Sequence, residues 1–107
     1  MSVFKSALGS CGLSISDGAE FLGINESTLK HYSAGTRQAP LEVWTALATL
    51  YDQIVEVSEH ALDVFERDEI TPEGIQDIAI HEHGSPLPKS ALDTVAAIFI
   101  MTRMQDD

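Results

Sequence analysis

The sequence predicts an all-α or mainly α fold, in which three short helices precede a long fourth helix and a C-terminal region. Three observations carry this. Helix-start residues and glycines alternate at short intervals through the first 35 residues. No Gly or Pro interrupts Leu41 to Asp68, where apolar residues recur every three or four positions. The last stretch, Lys89 to Met104, is apolar nearly all round, as a helix buried on more than one side would be.

Val3 to Gly12 reads as a first helix with Val3, Phe4, Ala7 and Leu8 on one face. Ser14 has the chemistry of an N-cap, and Asp17, three residues on, is placed to return a hydrogen bond as in a capping box. The second helix carries Ala19, Phe21 and Leu22 and stops at Gly23, a residue suited to a left-handed C-terminal position. Ile24 reads as a buried plug in the turn. Asn25 caps a third helix, with Glu26 where the helix dipole favours an anion, Leu29 and Tyr32 inward, and Gly35 at its end.

Pro40 marks a fourth start. Trp44, Leu47, Tyr51, Ile54, Ser58, Ala61 or Leu62, and Phe65 set the inward face of the long helix, whose second half is expected to project from a four-helix N-terminal domain. Thr71-Pro72-Glu73 is a further helix start with Ile70 and Ile75 as a hydrophobic staple, although Ile78-Ala79-Ile80 reads equally well as extended chain. Gly84, Pro86 and Pro88 make a loop. The expected division is an N-terminal unit over 1–51 and an acidic C-terminal region over 52–107.

The net charge of −11 is unevenly spread. Residues 1–51 carry Lys5, Lys30 and Arg37 against four acids; residues 52–107 carry three cations against thirteen acids. The N-terminal half is thus close to neutral, and at a Debye length of about 8 Å the distant acids are largely screened from a contact made there. At 107 residues and 44% hydrophobic content the chain is a folded one rather than disordered. The single cysteine, Cys11, has no internal disulfide partner and reads as a small core residue. No secretory pattern is evident, and the longest apolar run, Val95 to Met101, falls short of the roughly 20 residues a bilayer requires. A cytoplasmic protein with no membrane partner is expected.

The segment from Leu13 to Gly35 resembles the Xre/Cro-type helix-turn-helix of bacterial and phage regulators. Ala19 stands where two helices cross, Gly23 makes the turn, Ile24 fills the space beneath it, and Leu29 and Tyr32 seat the second helix. The tail Tyr-Ser-Ala-Gly-Thr-Arg resembles the family's aromatic-x-x-Gly-x-Arg ending, with Ser33 in place of the usual acid. More loosely, Tyr-Ser-Ala-Gly followed by Ala39-Pro40-Leu41-Glu42-Val43, a long helix and a terminal Ala-Leu-Asp-Thr-Val-Ala-Ala-Ile is similar to the small two-part dimeric repressors associated with anti-CRISPR operons.

The resemblance implies that the second helix of the pair enters the major groove of double-stranded DNA. Asn25, Glu26, Ser27, Lys30 and His31 would then face the bases, with Lys30 reaching guanine and Glu26 accepting from cytosine. Ser14 and Ser16, at a helix N-terminus, and Thr36, Arg37 and Gln38, after the recognition helix, would meet phosphates. The implied function is a homodimeric repressor or autorepressor binding an inverted repeat, dimerised through its C-terminal region. A reading from another class is a protein-interaction module, antitoxin-like or an adaptor, that keeps the fold without tight DNA binding.

No nucleophile–base spacing or phosphate-binding glycine loop points to an enzyme, and no cofactor is implied. His81 and His83 bracket Glu82, and in extended chain would share a face as metal ligands do; with no third or fourth ligand nearby in sequence, they read as loop histidines and no metal is expected.

Overall fold

Four side chains open four of the helices in the same way. Ser2, Ser14, Asn25 and Thr71 each accept a hydrogen bond from the amide three residues ahead, satisfying a donor that the first turn leaves unpaired. In the computed structural model, which describes residues 2–106, the result is six helices and, among the described residues, no strand. They are α1 (Val3–Ser10), α2 (Ile15–Leu22), α3 (Glu26–Ala34), α4 (Leu41–Val64), α5 (Pro72–His83) and α6 (Ala91–Asp106). The all-α expectation holds, and Ile78-Ala79-Ile80 is helical. Ile70 and Ile75 take the N′ and N4 positions around the Thr71 cap, as a staple requires.

The α4 helix is the axis of the molecule. Its 24 residues span about 36 Å, and α1, α5 and α6 all pack on it. Its inward face is Val43, Leu47, Leu50, Ile54, Val57, Ser58 and Ala61. This is rotated from the expected face: Leu50 and Val57 are buried, whereas Tyr51 is exposed. Nor does the second half project, because α5 and α6 cover it within the same chain. Ser58, the buried polar residue of that face, donates to the Ile54 carbonyl at 2.7 Å. The helix ends at Val64 without Gly or Pro. Phe65 turns extended, and the Arg103 guanidinium from α6 donates to the Leu62 and Phe65 carbonyls at 2.6 and 2.8 Å, so a tertiary contact supplies the cap that the local sequence lacks.

One buried cluster runs from Phe4 to Phe99, and the expected boundary at residue 51 falls inside α4. Ala91, Val95 and Phe99 of α6 are fully buried, but Ala97, Ile100, Met101 and Met104 stay exposed. At spacings of three and four, these four form one stripe of that helix. Cys11 is 1% exposed, and burial in apolar surroundings pushes its thiol pKa upward.

The two parts are also joined by polar contacts. Asp17 does not return a bond to Ser14; its Oδ2 instead accepts from the Ser90 amide at 2.9 Å, while the Ser14 amide donates to Ser90 Oγ at 3.3 Å. Gln76 fixes the loop carrying Ser90 by grasping both backbone groups of Leu87.

Candidate nucleic-acid interface

The α2–α3 pair is built by local chemistry. Gly23 takes φ 68°, and the Ile24 amide reaches back to the Ala19 carbonyl at 3.1 Å, closing α2. Ile24 is half-buried against the core. Asn25 Oδ1 then accepts from the Thr28 amide at 2.7 Å to open α3. Gly35 and the Thr36 amide, which donates to the His31 carbonyl at 3.1 Å, close it in the same manner.

What seats α3 is buried beneath it. Leu29 is fully buried, and Tyr32 meets the Phe4 ring edge-on at 5.6 Å; Phe4 in turn meets Trp44 of α4 at 5.4 Å. Ser2 adds a bond from α1 to the Ser33 carbonyl. The sequence reading missed Gly18. A Cβ there would stand 3.0 Å from Leu29 Cδ2 and 3.3 Å from Leu8 Cδ1, so Gly18, as well as Ala19, sets the close approach of α2 to its neighbours. Phe21, by contrast, is 39% exposed and contributes less to the core than its type suggests.

With Leu29 and Tyr32 inward, Asn25, Glu26, Ser27, Lys30 and His31 are all exposed along the outer side of α3 and its cap. Thr36, Arg37 and Gln38 are exposed immediately after it. Two of these side chains are partly committed. Asn25 spends its oxygen on the cap and keeps its NH₂ donors. Thr36 Oγ1 donates to the His31 carbonyl and lies 2.9 Å from His31 Nδ1. At the start of α2, Ser16 is exposed, but Ser14 is engaged at both Oγ and N–H, by Asp17 and Ser90.

The histidines of α5 lie elsewhere and are not in a loop. Helix α5 carries His81, Glu82 and His83, and α4 brings Glu56 to His83 and His60 to Glu82, so the partners absent from the local sequence are supplied from more than 20 residues away, while His81 is outside this group. No helix of the described residues is long and apolar enough to cross a membrane. Comparison of the chain with protein-family profiles, with curated proteins and with solved structures finds no match.

Proposed function

We propose that this protein is a sequence-specific DNA-binding transcriptional regulator of the cytoplasm, a repressor or autorepressor that reads an inverted repeat as a homodimer. The observation that carries the reading is the two-sidedness of α3. Leu29 and Tyr32 are buried where α3 packs on α1 and α2, while every residue that the helix-turn-helix resemblance assigns to bases is exposed on its outer side. A helix so held presents side chains at fixed positions, which direct reading of base edges demands.

Lys30 is the cation of that helix and Arg37 follows it. On the specific site, Lys30→Ala costs about 1–3 kcal/mol and relaxes the preference at one position, whereas Arg37→Ala weakens all sequences alike. A mobility-shift titration with the DNA upstream of the protein's own gene, against a scrambled duplex, tests both. Equal, sequence-independent losses from the two variants would overturn the recognition-helix assignment. Absence of binding to any duplex at low salt would favour the protein-interaction reading, which the acidity of residues 52–107 supports.

Dimerisation is proposed through the exposed stripe Ala97, Ile100, Met101 and Met104. Helices α5 and α6 cover α4 within one chain, and the stripe on α6 leaves apolar area that a second copy would remove from water. Sedimentation equilibrium at micromolar concentration is expected to give twice 11.6 kDa, and Ile100→Asp to give the monomer. A wild-type monomer would remove both the dimer and the palindromic site.

A further inference from the structure

Glu56 and His60 stand four residues apart on α4 and so share a face. Glu82 and His83 close α5 opposite them. His83 Nε2 lies 3.4 Å from Glu56 Oε2 and 3.6 Å from Glu82 Oε2, and the ligand atoms of these three residues fall within 4.8 Å of one another. The other oxygen of Glu82 meets His60 Nδ1.

Three features separate this group from a surface ion-pair network. His83 Nε2 is shielded from solvent yet makes no hydrogen bond, although its side chain is only 16% exposed. A protonated ring held by these carboxylates would close on one of them at about 2.7–2.9 Å, the length of a charge-assisted bond. The two separations from His83 Nε2 instead suit a metal: bonds of about 2.0–2.2 Å in a tetrahedral shell place neighbouring donor atoms about 3.4 Å apart. Finally, two carboxylates converging within 4.8 Å repel each other, and a divalent cation between them reverses the sign of that interaction.

We propose that Glu56, Glu82 and His83 bind a divalent transition-metal ion of the zinc type. His60 is a positioning residue that holds Glu82 Oε1 and so aims Oε2 at the ion, the outer-shell arrangement usual around metal-bound carboxylates. The fourth position faces the surface groove that Glu59 and Asp63 also line, and takes water. One imidazole and two carboxylates favour Zn²⁺ or Co²⁺ over the all-oxygen shells of Ca²⁺ and Mg²⁺. The ion would fasten α5 to α4, and the inference is independent of the DNA reading.

The test uses the full chain stripped with chelator and titrated with Zn²⁺ by calorimetry and with Co²⁺ by visible absorption. One Zn²⁺ per chain and the intense visible bands of four-coordinate Co²⁺ are expected. His83→Ala abolishes both signals, and Glu56→Gln, a surface change that leaves the core untouched, weakens binding at least tenfold. His60→Ala weakens it by about 10–100-fold, the size of an outer-shell loss. His81→Ala, altering the exposed neighbour on α5, leaves affinity unchanged. Circular dichroism of each stripped variant separates loss of the site from loss of fold. No saturable Zn²⁺ binding by the wild type, undiminished binding by folded Glu56→Gln, or loss of binding in His81→Ala would each overturn the assignment.

Discussion

Phe99→Ala is expected to lower the stability of the whole chain by about 3–5 kcal/mol, and to move the unfolding of the N-terminal half by the same amount as that of the C-terminal half. Phe99 is fully buried on α6, with the Arg103 guanidinium 5.6 Å from its ring centroid. Its removal leaves a cavity in the buried cluster and loosens the arginine that caps α4. A domain of this size commonly has about 5–15 kcal/mol in all, so the loss is a large fraction of the total. The effect reaches α3 because α4 runs through both parts and one buried cluster joins them. Trp44, the single tryptophan, sits on Phe4 and reports on the N-terminal side. Denaturant curves followed by Trp44 fluorescence and by far-ultraviolet dichroism should coincide in the wild type and shift together in the variant. A Trp44 transition that stays in place would show that the halves unfold separately, in keeping with a division at residue 51.

Gly12→Ala is the second large effect, at about 2–5 kcal/mol. Two costs combine. Gly12 has φ 68°, where a Cβ adds about 1–2 kcal/mol of backbone strain. That Cβ would also stand 2.0 Å from Thr94 Oγ1 and 3.1 Å from the Ser90 carbonyl, an overpacked contact worth about 1–3 kcal/mol. Thr94→Ala removes the nearest obstacle but keeps the Thr94 Cβ, which with the Ser90 carbonyl stands 3.1 Å away, so the double variant recovers part of the second cost and retains the first. Thermal or urea melts of the two single variants and the double variant measure this non-additivity. A stable Gly12→Ala protein, or strict additivity with Thr94→Ala, would show that the corner between α1 and α2 does not abut α6 as described.

Sequence legibility divides along the range over which each signal acts. Ser14, Gly23, Asn25 and Thr71 do their work within three or four residues, and the helix ends they imply are present. The end of α4 was illegible because Arg103, 38 residues beyond Phe65, supplies it. Its inward face was misread for a related reason. Apolar residues populate several sides of that helix, and only the positions of α1, α5 and α6 decide that Leu50 and Val57 go in while Tyr51 stays out. Ile78-Ala79-Ile80 suits a strand or a helix by periodicity, and the Thr71 cap with α4 alongside makes it helix. Among the candidate site residues, the exposure of the α3 series followed from the burial of Leu29 and Tyr32. The engagement of Ser14 by Ser90, and the meeting of Glu56 with His83, depend on pairings between distant segments that no local pattern encodes.

One of those pairings bears on the order of folding. The bond between Ser90 and Asp17 closes a loop of 73 residues, and the Ser14 bond one of 76. Closing so long a loop costs about 4 kcal/mol in chain entropy, beyond a constant term, while two hydrogen bonds return about 1–3 kcal/mol. The clasp therefore cannot nucleate anything. It forms after α4 and α6 have docked and brought Ser90 to the start of α2, and it is among the first contacts to open when α6 loosens. Protection of the Ser90 amide against hydrogen exchange is thus a marker of the completed fold, acquired later than the helices on either side of it.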